Sequence, residues 1–203
     1  MARIHPGATL TPHFSEFLPP WIARQPWYAG AEGSVPALVP VGYFRMEDPA
    51  GEVGIETHLV RDGSVLYQVP MTYRGAPLGG AQDALISTTE HSVLGKRWIY
   101  DATADPVWIE QLLDLVRTGG VSEPSLKRRV GPAEVRGRRL GAGVPTPETV
   151  VIDIRLVLVA GEPAPEAEPG VVGVVTGSWY PDGPDDAAAE GCFAALRERH
   201  ATS

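Results

Sequence analysis

The chain has 203 residues, of which 43% are hydrophobic and 21% are charged, a balance typical of a globular protein with a substantial core. Its formal net charge of -8 disfavours non-specific binding to nucleic acid or to an anionic membrane surface. The single cysteine, Cys192, excludes an internal disulfide, and no apolar run is long enough for a membrane span or a signal peptide. We therefore expect a cytoplasmic protein.

The first predicted element is a short helical segment. Thr11 followed by Pro12 is typical of a helix start, and Pro19-Pro20 limits the helix to one or two turns because proline lacks an N–H. The apolar side chains expected to face inward are Phe14, Phe17, Leu18, Trp21 and Ile22. Trp27 and Tyr28 come next. Large aromatic residues serve more often as core than as sugar-stacking platforms, so we expect both under the sheet that follows.

Three strands are predicted after the aromatic segment, over residues 37–47, 52–62 and 64–74. Apolar and polar residues alternate along the second and third of them, which puts one face on the core. Asp62-Gly63 is typical of a tight hairpin turn. Pro70 cannot donate a ladder hydrogen bond, so it indicates an edge or a bulge.

Residues 83–95 are interpreted as irregular or as a short helix, and residues 96–103 as a strand. The clearest helix begins at Pro106, where Asp105 offers an N-cap. It ends at Gly119-Gly120. Its inward side chains, at helical spacing, are Ile109, Leu112, Leu113 and Val116.

The last third of the chain is predicted to be rich in β-structure. Residues 148–162 alternate strongly and are predicted to form one strand, with residues 171–180 as its hairpin partner across the proline-rich loop 162–170. Residues 185–200 are ambiguous. Their alanines favour a helix, whereas Gly191 and the preceding turn favour a strand. We favour the helix.

No complete catalytic constellation is present in the sequence. The Gly-Lys pair at Lys96 lacks the upstream glycine of a phosphate loop, and Arg97 stands where Ser or Thr would bind magnesium. The five histidines are scattered, Cys192 has no neighbouring histidine, and we expect neither a metal nor a cofactor. Asp101 and Asp105 are either an acid–base pair or, as we prefer, a salt-bridge partner and a helix cap.

Two stretches carry a family resemblance. They are "WIARQPWYAG" and "YQVPMTYRGAPLGGAQDALISTTEHSVLGKRWIYDATADPVWIEQLLDLV". Over residues 10–118 the chain resembles the N-terminal cap domain of bacterial maltokinases and related aminosugar kinases. The Arg-, Ala- and Gly-rich composition agrees with an actinobacterium-type genome.

The resemblance implies an α+β fold in which a curled antiparallel β-sheet surrounds a helix, as in cystatins. We expect a cap-like domain over residues 1–120 and a β-rich C-terminal extension over 121–203, packed on the same core. In the full kinases a catalytic lobe that binds ATP follows the cap. The roughly 85 residues after position 118 are too few for both kinase lobes. The strand lysine, the catalytic loop and the D-F-G motif are also missing. We therefore expect a stand-alone, cap-like protein without kinase activity.

Two functions remain open from the sequence. One is a non-catalytic binding or regulatory module near trehalose, maltose or glycogen metabolism. The other is an enzyme on a sugar or α-glucan, with an unfamiliar site formed by Tyr73, Arg74, Glu90, His91 and Asp101. For the module, the candidate binding residues are these five and Arg97, with His91, Arg97 and Asp101 bracing their loop. Its partner would be a protein of α-glucan or trehalose metabolism or a carbohydrate, and self-association stays open.

Overall fold

The computed structural model describes residues 5, 7–31, 33–124, 130–183 and 185–199. Within them the chain forms two α-helices and twelve β-strands, arranged as two antiparallel sheets. The predicted α+β fold with a curled antiparallel sheet and a β-rich C-terminal part is thereby confirmed. Residues 126–129 of the basic stretch and residue 200 of the ambiguous last segment lie outside the described residues.

The element bounds follow the chain order. The helices are α1 (Phe14–Ile22) and α2 (Pro106–Thr118). The first seven strands are β1 (Leu10–Thr11), β2 (Val39–Met46), β3 (Gly54–Asp62), β4 (Val65–Arg74), β5 (Leu85–His91), β6 (Gly95–Asp101) and β7 (Glu123–Pro124). The other five are β8 (Glu134–Arg139), β9 (Val150–Ile154), β10 (Val157–Leu158), β11 (Val171–Trp179) and β12 (Ala189–Glu198).

The first sheet has the strand order β1-β5-β6-β4-β3-β2-β7, and β10 also pairs with β4. The three strands predicted over 37–74 are confirmed as β2, β3 and β4. The pairing of β4 also explains why this strand can contain a proline. On the side of β4 away from β3, residues Leu66 and Tyr67 pair with β10 and residues from Met71 onward pair with β6. Pro70 lies in the gap between these two pairings, where no ladder donor is needed.

Helix α1 begins later than predicted, at Phe14 instead of after Thr11. Leu10–Thr11 instead pairs with β5. His13 caps the helix, and the His13 N–H donates a hydrogen bond to the Glu16 carboxylate at 2.7 Å. The helix continues through Pro19 and Pro20 to Ile22, and its inward residues are buried as predicted except Phe14, which is partly buried.

Trp27 and Tyr28 pack under the first sheet, as predicted. The Trp27 ring meets the rings of Trp21 and Tyr67 at centroid distances of 5.8 Å and 5.6 Å. The Tyr28 hydroxyl donates to Asp62 at 3.1 Å. Both side chains are half-buried, so their packing contribution is smaller than that of fully enclosed aromatics.

Helix α2 follows the predicted local signals. Asp105 accepts a hydrogen bond from the Val107 N–H at 2.9 Å, and Pro106 occupies the first turn. Gly119 ends the helix in the left-handed conformation with φ 66°, which a side chain would disfavour. Of the inward positions, Leu112, Leu113 and Val116 are buried, and Ile109 is partly buried.

The prediction of an irregular or short helical segment over 83–95 is wrong. Only a short 3₁₀ turn, Gln82–Ala84, is helical, and Leu85–His91 forms β5, which pairs with β6 as a hairpin. The segment's Ser and Thr residues fit a strand whose exposed positions face water. Pairing with a neighbour, which no local pattern shows, decided its conformation.

The single strand predicted over 148–162 is instead two strands in different sheets. Strand β9 pairs with β12 in the second sheet, and β10 pairs with β4 in the first. The change occurs at Arg155, whose N–H donates to Phe193 O at 2.9 Å. Buried Gln68 secures the crossing by donating to the backbone oxygens of Arg155 and Phe193 at 2.7 Å and 2.8 Å.

The second sheet has the order β8-β11-β12-β9, so two further expectations are wrong. Strand β11 pairs with β8 and β12, not with the 148–162 segment. The favoured helix at 185–200 is strand β12, and the run 191–196 is buried. Small residues were needed there for space: a Cβ on Gly191 would lie 2.9 Å from Val159 O and 3.1 Å from the Trp179 ring.

Two apolar clusters flank the first sheet. On one face, α1 covers a cluster that includes Tyr67, Val69 and Met71. On the other face, α2 lies between the first and second sheets. The two sheets and the helix between them share a larger apolar cluster. The first sheet provides Phe44, Ile55 and Leu59, the helix provides Trp108, Leu113 and Val116, and the second sheet provides Val175, Trp179 and Phe193. The proposed boundary at 120/121 stays a prediction.

Candidate functional site

The six candidate residues are divided between the two faces of the first sheet. Successive side chains of a strand point to opposite faces, so Tyr73 and Arg74 on β4 diverge, as do Glu90 and His91 on β5. Residues that look adjacent in the sequence therefore cannot converge on one reacting atom. The structure does not assemble the enzyme site hypothesised from the sequence.

Arg74 is part of a buried ion pair. Its Nε and Nη2 donate to the two carboxylate oxygens of Asp105 at 2.7 Å and 2.6 Å, and the Asp105 side chain is fully buried. Burial by itself would raise the pKa of Asp105, but the hydrogen bonds from Arg74 and from the Val107 N–H outweigh it and lower that pKa. Asp105 thus stays ionised and joins β4 to the start of α2.

Asp101 closes the end of β6. Its Oδ1 accepts hydrogen bonds from the Thr103 N–H at 3.0 Å and from the Thr103 hydroxyl at 2.7 Å. The sequence placed Asp101 beside His91, and that is wrong. His91 pairs with Gly95, and Asp101 lies six residues farther along β6, about 20 Å away at the rise of a strand.

His91 holds the turn of the β5–β6 hairpin. Its Nδ1 accepts hydrogen bonds from the N–H groups of Val93 and Leu94, both at 3.1 Å. Burial, the nearby His5 and Arg97 together lower the pKa of His91. A neutral imidazole keeps the Nδ1 lone pair available, so the turn favours the unprotonated ring.

The remaining two candidates lie at the same hairpin. Arg97 Nη2 donates to Leu94 O at 2.8 Å, which supports the predicted bracing of the loop by His91 and Arg97. Glu90 is exposed and pairs in register with Lys96. The tip beyond them is apolar: Val93 and Leu94 are 59% and 45% exposed. We call residues 90–98 the hairpin tip.

A polar cluster that the sequence analysis missed lies on the α1 side of the first sheet. His58 Nε2 lies 3.2 Å from Glu56 Oε2, and Arg45 Nε lies 3.6 Å from Glu56 Oε1. Burial, with the Glu56 carboxylate adding to it, raises the pKa of Tyr73 well above its usual value. Arg45 is 8% exposed, an unusual depth for arginine.

This cluster arises from register. Arg45 pairs with Glu56 across β2 and β3, and Tyr43 pairs with His58, so alternate positions of two strands bring the four side chains onto one face. A carboxylate beside an imidazole can orient a general base. Here, however, the His58 ring is flanked by the rings of Phe14 and Tyr43 at 4.5 Å and 5.8 Å, which leaves little room for a substrate.

Metal and thiol chemistry find little support among the described residues. No group of three or more His, Cys, Asp or Glu side chains there is placed to hold a metal ion. Cys192 is buried, and burial raises the pKa of its thiol, which disfavours the nucleophilic thiolate. None of the helices built by the described residues is long and apolar enough to cross a membrane.

Residues 21–105 match the family model of the maltokinase N-terminal cap domain. The sequence-based resemblance is confirmed over that range, which we call the cap segment. It contains β2 to β6 and ends at Asp105, before α2 and the second sheet. The match covers less than half of the 203 residues, and no curated protein matches the chain.

Proposed function

We propose that this chain is a non-catalytic binding module related to the N-terminal cap of maltokinases, acting near trehalose, maltose or glycogen metabolism. The observation that carries the proposal is the division of its reactive side chains between two sheet faces. Arg74, Asp101 and His91 each satisfy groups of their own fold. The family matched by the cap segment describes a non-catalytic part of maltokinases, which agrees with this role.

The hairpin tip is the surface we propose for the partner. Two adjacent apolar side chains, Val93 and Leu94, extend into solvent at a turn that His91 and Arg97 hold in shape. Lys96 lies 5.0 Å from the centroid of the Trp98 ring, so a cation and an aromatic face border the apolar tip. A preformed apolar projection with a polar rim is typical of a protein-binding contact.

The test is affinity capture from the native host, with proteins identified by mass spectrometry. We expect the wild-type chain to capture an enzyme of α-glucan or trehalose metabolism, and the double variant Val93→Ser/Leu94→Ser to lose it. Val144→Ser is the matched control, since Val144 is also 59% exposed but lies outside the hairpin tip. Equal capture by the double variant and the control would contradict the proposed surface.

A carbohydrate partner requires a separate measurement. Isothermal titration of the wild-type chain with maltose, trehalose and glycogen reports direct sugar binding. Saturable heat with one of them, unaffected by Val93→Ser/Leu94→Ser, would replace the protein partner with a carbohydrate and move the binding site away from the hairpin tip.

A further inference from the structure

A cavity of about 210 Å³ lies between α2 and strand β9, and Thr103 is the one lining residue that belongs to the cap segment. Its wall is mostly apolar, with Trp108, Ile109 and Leu113 from the helix and Val150, Ile152 and Ile154 from the strand. An apolar cavity of roughly 150 Å³ is enough to hold benzene. The space therefore suits one small aromatic ring or a branched aliphatic group.

The polar groups of the cavity lie at its edge. Arg199 is exposed there, and its Nη2 donates to the carbonyls of Pro147 and Val150 at 3.3 Å and 3.1 Å. These two bonds hold the guanidinium at the rim, and among the residues that the structure describes they engage its Nη2 and neither of the other two nitrogens. A second cation, Arg117, is held nearby by donating from Nε to Pro145 O at 2.8 Å.

Charged side chains of both signs lie at this rim. Glu148 is exposed beside it, and a hydrogen bond with Thr146, followed by the attraction of Arg117 and Arg199, lowers the pKa of Glu148. Arg117 also pairs with Glu110, whereas Arg199 is among the residues that line the cavity. A guanidinium next to a ring-sized apolar space is a recognition pattern for a carboxylate attached to an apolar group.

We propose that this cavity binds a small carboxylic acid with an aromatic or branched aliphatic body. The apolar body occupies the space between α2 and β9, and the carboxylate accepts hydrogen bonds from the remaining donors of Arg199. The site is independent of the hairpin tip, because the two share no residue. The ligand would lie between α2 and the second sheet, whereas the surface proposed for the partner is the hairpin tip.

The probe is phenylacetate, with 2-phenylethanol as its neutral analogue. Trp108 supplies the signal, because its ring lines the cavity and its indole N–H gives a separate peak in a ¹H–¹⁵N spectrum, which the variant Trp108→Phe assigns. Trp179 is buried in the same core but does not line the cavity, so its indole peak is the internal control. We expect phenylacetate to shift the Trp108 peak saturably and to leave the Trp179 peak in place.

Two variants separate the apolar and the ionic contributions. Arg199→Gln should weaken phenylacetate binding about tenfold, the effect of losing a charge-assisted hydrogen bond at an open rim, and leave 2-phenylethanol binding unchanged. Ile152→Phe should fill the cavity and remove both. The proposal is overturned if the wild-type Trp108 peak does not shift saturably, or if wild-type protein binds the acid and the alcohol equally. An unchanged phenylacetate affinity in Arg199→Gln would overturn it even where Ile152→Phe fails to fold.

Discussion

The regions next to the two ends of strand β6 both contain an arginine that bonds to its surroundings, but they differ in burial. At one end Asp105 is fully buried and bonded through both oxygens to Arg74. At the other end His91 and Arg97 are only partly covered and bond to backbone groups of a four-residue turn. Burial sets the difference, because the buried Asp105 carboxylate would be left without water if it lost Arg74, whereas an exposed turn can rehydrate.

The difference teaches where function can reside in this fold. The buried end fixes α2 against the first sheet, so change there costs folding stability. The hairpin tip contributes little to the core, so its exposed side chains can change or contact a partner at little cost in folding stability. Measuring the two ends with matched substitutions shows whether they differ as much as their burial implies.

The largest effect is expected at the buried end. Asp105→Ala removes both the partner of Arg74 and the N-cap of α2. The free energy of unfolding should fall by about 3–4 kcal/mol, near the lower end for a broken buried pair because water reaches the partly exposed Arg74. Chemical denaturation measures it. Asp105→Asn is the control, since it keeps a capping oxygen and should lose less. A loss below about 1 kcal/mol in Asp105→Ala would show that burial does not separate the two ends.

The same pair predicts a pH dependence. The pKa of Asp105 is lowered in the folded state, so its contribution is complete above the unfolded-state value of about 3.9 and is lost as the pH falls through the folded-state value. The stability difference between wild type and Asp105→Asn should therefore be constant near neutral pH and shrink below about pH 4. A difference that persists unchanged into strong acid would contradict the ionised pair.

A smaller effect is expected at the hairpin tip. His91→Ala removes the acceptor of two backbone N–H groups, which water can partly replace, and should cost about 1 kcal/mol. Because the pKa of His91 is lowered, this contribution is present above the unfolded-state value of about 6.5 and is lost as the pH falls through the lower folded-state value. Denaturant melts at neutral and acidic pH measure it. A variant as stable as wild type at neutral pH would remove the bracing role and reopen a functional role for His91.

The smallest effect is expected for Arg97→Ala. Arg97 contributes one hydrogen bond to Leu94 O at an exposed turn, so the unfolding free energy should change by no more than about 0.5 kcal/mol. Partner capture should nevertheless weaken if the turn loses its shape. A large loss of stability in Arg97→Ala would contradict this, because it would show that the hairpin tip supports the folded core as the buried end does.

Elements whose conformation is set by neighbouring residues of the sequence could be predicted, whereas elements set by pairing with distant strands could not. Helix α2 was predictable because Asp105 and Pro106 mark its start and Gly119 marks its end, all within the local sequence. Strand β12 was not, since its alanines favour a helix and only the neighbouring β11 and β9 make it a strand. The change of sheet at Arg155 could not be seen in the sequence. The alternation of apolar and polar residues continues through it, because the same alternate positions face the core in both sheets.

The candidate site shows the same limit. Asp105 as a helix cap could be predicted, but its ion pair with Arg74 could not, because the two are joined by the register of β4 and β6. The cluster of Arg45, Glu56 and His58 was missed although all three lie in predicted strands. Their alternate spacing was the available signal, and it needed the pairing of β2 with β3 to become a site.

The proposal to be tested first is that the cap segment belongs to a binding module and not to a phosphoryl-transferring enzyme. The most direct measurement is a coupled ADP-release assay on the purified chain, with magnesium and ATP and with maltose or glucosamine as the acceptor. We expect a rate equal to that of a heat-denatured sample for both sugars. Magnesium-dependent ADP release that requires the sugar and exceeds that background would contradict the account.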